Sequence, residues 1–179
     1  MNFLDLVKKR YSLRKYSDKA VPRVYIERSI EAARLAPSAC NSQPWEFIVV
    51  DYKKLKDRLT KSAFSGIYKM NTFAKDAPVM IIMITKASGI HATLGGLMQR
   101  TSFNLIDVGI AVEHLCLQAA EDGLGTCMLG WFNEKAVRSV FNLPSSTRID
   151  LLISMGYPLE EKIHDKKRNS LDQIFRYNN

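Results

Sequence analysis

A continuous apolar segment, Val79–Thr85, reads VMIIMIT and carries no charge. Its β-branched residues and short length predict a strand that is buried on both faces. Shorter apolar runs predict further strands, and these cover Glu46–Asp51, Thr126–Leu129 and Arg148–Tyr157. The sequence therefore predicts a sheet in which Val79–Thr85 is buried on both faces.

Apolar residues at helical spacing predict helices around these strands. The strongest predicted helix runs from Asn104 to about Asp122, is apolar on most of its circumference, and ends at Gly123. The other predicted helices begin after the N-cap Asn2, run from Pro22 to Pro37, cover Lys53–Ser62, and extend from the N-cap Asn133 to about Phe141. The segment Phe64–Asp76 is ambiguous, and Gly89–Arg100 is predicted to be a loop or lid.

This order of elements predicts a single domain over residues 1–179, with strands and helices arranged in one layered system. A helix that is apolar on most sides needs more cover than so small a chain offers, which suggests a partner subunit. Three apolar residues near the end of the chain, Leu171, Ile174 and Phe175, also need a covering surface.

The composition changes this picture little, because 46% hydrophobic and 25% charged residues are ordinary for a globular protein. The net charge of +8 raises the question of a nucleic-acid partner. However, the charges are scattered and no recognition motif accompanies them, so we expect no nucleic-acid binding. The densest basic run, Lys162 to Arg168, is either a solvated tail or part of a phosphate site.

Several other classes of protein are also disfavoured. The cysteines Cys40, Cys116 and Cys127 are odd in number and lack CxxC spacing, so no disulfide framework is expected. Cys116 and Cys127 are predicted to be core residues, whereas a redox role for Cys40 stays open. The histidines are far apart and predict no metal site. The absence of an apolar leader or a long apolar run predicts a cytoplasmic protein that does not span a membrane.

Two polar motifs carry the candidate chemistry. The segment Arg10–Tyr16 reads RYSLRKY and brings two guanidinium groups close to a hydroxyl group, which suits a phosphate monoester. The segment Ala36–Trp45 reads APSACNSQPW and predicts a rigid loop of small polar residues between two prolines. Such a loop can lie against a flat aromatic ring and form hydrogen bonds with its edge.

These motifs, followed by GLGTCMLG at 123–130, GYP at 156–158 and KKR at 166–168, resemble the signature of the FMN-dependent nitroreductase family. The resemblance covers nearly the whole chain. It implies an α+β sandwich in which helices flank a central, mostly antiparallel sheet. It also implies a homodimer with two FMN sites at its interface, each built from both chains.

The resemblance assigns candidate FMN contacts by position. Arg10 and Ser12 would hold the phosphate, joined from the C-terminal tail by Arg168 and Lys166. Tyr11 would be a further cofactor contact, and Arg14 would reach the pyrimidine side of the flavin. Loop residues from the other subunit would line the ring, and these are Pro37, Ser38, Ala39 and Asn41. Backbone at Leu129 and Gly130 would lie near N5, and Asn71 and Lys75 would make further ring contacts. No general acid or base is assigned, because hydride transfer needs none.

The function implied by the resemblance is oxidation of NADH or NADPH with ping-pong reduction of a small acceptor such as a nitroaromatic compound or a quinone. Reductive dehalogenation on the same scaffold and a non-catalytic flavin-binding redox sensor are the alternatives. The chain departs from the family at Cys40, where glycine is common, and in a short insertion at about Ser88 to Arg100. The physiological acceptor and the choice between NADH and NADPH are left open.

Overall fold

The computed structural model describes residues 2–87, 101–160 and 165–178. The predicted loop or lid at Gly89–Arg100 lies outside the described residues. The described strands are β1 (Trp45–Val50), β2 (Val79–Thr85), β3 (Gly125–Leu129) and β4 (Arg148–Gly156). They form one sheet in the order β1-β2-β4-β3, and every neighbouring pair is antiparallel. The antiparallel sheet and the predicted strands are therefore confirmed, with ends that differ by a residue.

The described α-helices are α1 (Phe3–Lys9), α2 (Arg23–Arg34), α3 (Lys53–Ala63), α4 (Phe103–Glu121), α5 (Glu134–Val140) and α6 (Leu171–Ile174). Asn2 caps α1 by accepting a hydrogen bond from the amide of Asp5 at 2.9 Å, and Asn133 caps α5 by accepting one from Ala136 at 3.0 Å. Pro22 lies at the N-cap position of α2 rather than inside its first turn. The ambiguous segment forms 3₁₀ turns over Gly66–Asp76.

The two faces of the sheet bury two separate hydrophobic cores. Alternate residues of β2 separate between them, because side chains on a strand point to opposite faces. Ile81 and Met83 join the core formed with α2 and α4, whereas Met80 and Ile82 join the core formed with α3 and α5. Every residue of β2 is buried, as predicted. The molecule is thus a layered sandwich with helices on both faces of the sheet.

Helix α4 is the longest described helix and buries Val108, Val112 and Leu115. Leu105 and Ile106 near its start are 39% and 51% exposed. By length and composition α4 is apolar enough to cross a membrane, and 44% of its most apolar window is buried in the fold. This is weak evidence for membrane insertion, because the core helix of a globular protein passes the same test.

Candidate functional site

The predicted basic residues line one cavity of about 670 Å³. One wall is the segment that follows α1 and includes Arg10, Tyr11, Ser12 and Arg14. The facing wall comes from the C-terminal segment 165–168, which includes Lys166 and Arg168. Residues that are far apart in sequence thus contribute their positive charges to a single space.

Backbone pairing with the sheet holds the first wall in place. The amide of Leu13 donates to the carbonyl of Thr126 in β3 at 2.9 Å, and Ser12 forms a parallel bridge with Thr126. A Cβ atom at Gly125 would lie 2.5 Å from Cδ2 and 2.8 Å from Cβ of Leu13. Glycine at 125 therefore allows the basic segment to lie directly against the edge of the sheet.

A buried tyrosine fixes the same segment from within. The hydroxyl of Tyr16 donates to the carbonyl of Leu13 at 2.8 Å and lies 2.7 Å from the hydroxyl oxygen of Ser154 in β4. Burial raises the pKa of Tyr16 above its ordinary value, so the hydroxyl stays protonated and remains a donor. The peptide between Ser12 and Arg14 is thereby held in a defined orientation.

Hydrogen bonds hold the C-terminal part of the chain beside α1 and the segment that follows it. The amide of Leu159 donates to the carbonyl of Lys15 at 3.1 Å, and the ammonium group of Lys166 donates to the carbonyl of Val7 in the last turn of α1. Partial burial lowers the pKa of Lys166, and repulsion from Arg10 and Arg168 lowers it further. Among the described residues that line the cavity, six cationic side chains outnumber the two carboxylates of Glu160 and Asp165, so the cavity has an excess of positive charge that an anion would offset.

Two further contacts orient the arginines. Nε of Arg10 lies 3.3 Å from Oε1 of Glu113 on α4, and the Arg10 side chain is 19% exposed. Nη1 of Arg14 donates to the carbonyl of Ser12 at 3.3 Å, and the Arg14 guanidinium carbon lies 5.9 Å from the centre of the Phe73 ring. An ion pair at Nε leaves the terminal nitrogens of Arg10 able to bind an anion.

The polar loop after α2 adopts an unusual backbone. Cys40, Asn41 and Gln43 have φ angles of 52°, 53° and 45°. The left-handed conformation at position 40 is one that glycine adopts most easily, so Cys40 stands where a glycine would fit without strain. The side-chain oxygen of Asn41 accepts a hydrogen bond from the side-chain nitrogen of Gln43 at 3.1 Å, which stabilises the turn locally.

A buried carboxylate holds this loop against α4. The amide of Ala39 donates to Oδ1 of Asp107 at 3.0 Å, and the hydroxyl of Ser42 lies 3.4 Å from Oδ2. Asp107 is 3% exposed. The hydroxyl oxygen of Ser38 also accepts a hydrogen bond from the backbone amide of Gln43 at 2.9 Å. Among the described residues that line the basic cavity, none comes from Pro37, Ser38, Ala39 or Asn41. Within one chain the loop and the basic cavity are therefore separate.

The remaining predicted contacts divide between two places. Leu129 is buried at the end of β3, and the side-chain nitrogen of Asn71 donates to the carbonyl of Trp131 at 2.9 Å, next to Gly130. Lys75 instead lines a second cavity of about 500 Å³ beside α3. The structure thus brings Asn71 close to Leu129–Gly130, but neither these residues nor Lys75 are among the described residues that line the basic cavity.

The sequence model of the nitroreductase family matches residues 7–157 of the chain. The chain belongs to the nitroreductase family. It is 30% identical over 164 residues to a protein of Methanothermobacter thermautotrophicus provisionally named NADH dehydrogenase/NAD(P)H nitroreductase, with 89% of this chain and 79% of that protein covered. It is 27% identical over 194 residues to the iodotyrosine deiodinase of Thermotoga neapolitana, with 97% and 96% covered. This nitroreductase family member is therefore an oxidoreductase.

A solved structure agrees over the whole chain. The FMN-dependent nitroreductase of Clostridium difficile superposes with a TM-score of 0.77 at 30% identity, and 99% of each chain is covered. The layered α+β fold with an antiparallel sheet is accordingly the nitroreductase fold, as the sequence resemblance implied.

The sequence analysis did not assign several residues that shape the candidate site, and these are Tyr16, Phe73, Asp107, Glu113 and Gly125. A signal was present for Asp107, because it is a carboxylate within the most apolar helix of the chain. Tyr16 ends the basic motif and Gly125 belongs to the glycine-rich segment, yet their contacts depend on the folded chain.

Burial raises the pKa of the Cys116 thiol to about 12, so this buried thiol stays protonated at neutral pH.

We predict that Tyr16→Phe destabilises this nitroreductase by about 1–2 kcal/mol, because the buried carbonyl of Leu13 loses its side-chain donor. Ser154→Ala is the matched control and should cost less, since Tyr16 then still donates to Leu13. Urea unfolding of both variants measures the difference. A larger loss in Ser154→Ala would show that the tyrosine hydroxyl is not the anchor of the segment.

Proposed function

We propose that this nitroreductase is an FMN-dependent NAD(P)H oxidoreductase that reduces small acceptors, such as nitroaromatic compounds or quinones, by a ping-pong mechanism. The observation that carries the proposal is the convergence of Arg10, Ser12, Lys166 and Arg168 on one cavity. Burial lowers the pKa of Lys166, and the nearby charges of Arg10 and Arg168 lower it further, so an anion in the cavity would favour the charged lysine. Such a cavity suits the phosphate of a mononucleotide cofactor.

The donor set fits FMN at its phosphate end. Guanidinium groups present forked donors to phosphate oxygens, and Lys166 adds a point charge. Arg14 lines the same cavity and would place its charge beside the pyrimidine side of the ring. The backbone at Leu129 and Gly130 would approach N5. Asn71 lies close enough to this backbone to belong to the same ring contacts, whereas the position of Lys75 gives that residue no support.

When bound, FMN would supply the redox chemistry: a hydride from NAD(P)H brings two electrons and one proton, solvent supplies a second proton, and the acceptor receives two electrons and two protons in the second half-reaction. The residues of the chain bind and orient. Arg10, Ser12 and Arg168 fix one end of the cofactor, and Arg14 favours its reduced form by placing a cation where negative charge increases. No side chain needs to act as a nucleophile or a general acid.

We also propose a homodimer in which the loop Pro37–Asn41 of one subunit completes the site of the other. The loop is held in a defined shape by Asp107 yet does not line the cavity of its own chain. Exposed apolar residues at the start of α4 and in the C-terminal segment would supply the interface, and these are Leu105, Ile106, Leu171, Ile174 and Phe175. We further propose that each chain is a single domain and acts in the cytoplasm.

Reductive dehalogenation is the second candidate. The observation in its favour is the similarity to the Thermotoga neapolitana iodotyrosine deiodinase along almost the full length of both proteins. Both activities would use the same phosphate cavity and would differ in the acceptor. A flavin-binding sensor would share the cavity as well but would show negligible NAD(P)H oxidation.

The first experiment is an absorption spectrum of the protein loaded with FMN, followed by NADH or NADPH without oxygen. We expect the flavin bands to bleach within seconds to minutes and to return when a nitroaromatic compound or a quinone is added. A halogenated phenol in place of these acceptors tests the second candidate. Flavin that stays oxidised with both nucleotides would contradict the oxidoreductase proposal.

Replacing one of the residues proposed to bind the FMN phosphate should weaken cofactor binding without unfolding the chain. Arg10→Ala is expected to raise the FMN dissociation constant about 10–100-fold, because it deletes a charge-assisted hydrogen-bond donor to phosphate. Arg34→Ala is the control, since Arg34 is exposed on α2 and pairs with Glu31. Fluorescence titration of the apoproteins, with circular dichroism as a folding check, measures both. If Arg10→Ala and the unchanged protein bind FMN with equal affinity, Arg10 does not bind the phosphate.

The mass in solution tests the shared site. We expect size-exclusion chromatography with light scattering to give twice the 20.3 kDa of one chain. Leu105→Glu combined with Ile106→Glu should shift the protein to monomer and reduce FMN affinity, because both residues are exposed on α4. A monomer that keeps full FMN affinity would contradict a site built from two chains.

A further inference from the structure

The 3₁₀ segment Gly66–Asp76 contacts Arg14, a residue of the basic cavity, through one aromatic side chain. Phe73 presents its ring to Arg14, whose guanidinium carbon lies 5.9 Å from the ring centre. This distance is within the range in which a cation is attracted to an aromatic ring. Arg14 itself is exposed, and its hydrogen bond to the carbonyl of Ser12 is long at 3.3 Å. A long, flexible side chain with these contacts depends on the ring for a defined position.

Phe73 is well placed to give that support because its own position is fixed. Its partly buried ring packs against the core formed with α3 and α5, and against the small cluster of Leu13, Tyr16 and Ala77. The adjacent residue Ala74 is completely buried. The ring is therefore part of the same packed unit that positions the basic segment.

The segment is also pinned on either side of Phe73. Before it, Asn71 donates to the carbonyl of Trp131 at 2.9 Å, and the Trp131 indole nitrogen donates to the carbonyl of Ile67 at 3.2 Å. After it, the carbonyl of Lys75 accepts a hydrogen bond from the buried Lys56. The ring thus belongs to a rigid connection between the region of Gly130–Trp131 and Arg14.

We propose that Phe73 is a positioning residue that holds the Arg14 guanidinium at the edge of the cavity, where it stabilises the reduced, more negatively charged form of the cofactor. The inference rests on the proposed FMN-dependent function. Phe73 acts through Arg14 and needs no contact with the cofactor. Loss of the ring leaves Arg14 in place but spreads its guanidinium over several orientations.

The consequence is a specific pattern of coupling. If Phe73 acts through Arg14, removing the Phe73 ring changes the affinity for reduced relative to oxidised FMN only while Arg14 is present. The effects of the two substitutions are then non-additive. If Phe73 serves only the core, its effect is the same with and without Arg14. The position of the charge also predicts a larger effect on reduced than on oxidised FMN.

The test is a double-mutant cycle with Phe73→Leu, Arg14→Ala and the combined variant. Leucine keeps an apolar side chain against Leu13 and Tyr16, and Phe73→Tyr keeps the aromatic ring and serves as the rescue control. For each protein, titration gives the dissociation constant of oxidised FMN, and the midpoint potential of the bound cofactor gives the affinity for reduced FMN relative to oxidised. Urea unfolding of the apoproteins reports the structural contribution separately.

We expect Phe73→Leu to weaken binding of reduced FMN, relative to oxidised FMN, about two- to fivefold. The same change should have no effect on this ratio in the Arg14→Ala background, and Phe73→Tyr should keep the unchanged protein's ratio. An equal effect in both backgrounds, or no effect in either, would overturn the role of Phe73. Failure of the unchanged protein to bind FMN would instead overturn the proposed function on which the inference rests.

Discussion

The site depends on the attachment of the basic segment to the edge of the sheet. The amide of Leu13 pairs with Thr126, and the hydroxyl of Tyr16 satisfies the carbonyl of Leu13. Buried backbone groups need hydrogen-bond partners, and other positions of the segment would leave these groups without them. The folded chain therefore holds the segment in this one position. Leu13 and Tyr16 are buried, whereas Ser12 and Arg14 are exposed, and this alternation directs the functional groups toward the cavity.

Gathering cations in one cavity has a cost that the fold partly offsets. Glu113 balances Arg10, and the last turn of α1 offers the carbonyl of Val7 to Lys166. The pKa of Lys166 is nevertheless lowered, with repulsion from Arg10 and Arg168 adding to the effect of burial. A phosphate dianion bound in this cavity would offset the remaining repulsion. The ion pair and the hydrogen bond thus balance only part of the positive charge, and the remainder suits the anion proposed to bind there.

The sequence predicted elements that carry a strong apolar pattern, either a continuous apolar run or apolar residues repeated at helical spacing. Helix α4 and strand β2 have that property, and their ends agree with the sequence to within a residue. The 3₁₀ turns of Gly66–Asp76 do not, because their shape is fixed by contacts such as that of Asn71 with Trp131. In the site, the charged motifs are visible in the sequence itself. The partners that orient them are not, since Tyr16 and Ser154 are 138 residues apart.

The loop after α2 shows how local strain can be informative. Left-handed backbone at a residue other than glycine is unfavourable, and asparagine tolerates it better than cysteine or glutamine. Cys40 and Gln43 nevertheless adopt it, in a loop that the buried carboxylate of Asp107 holds in place. Strained backbone of this kind occurs often at binding sites, so the observed φ angles support a functional role for the loop. Since the loop does not line its own chain's basic cavity, this strain is in keeping with the proposal that the loop completes the site of a second subunit.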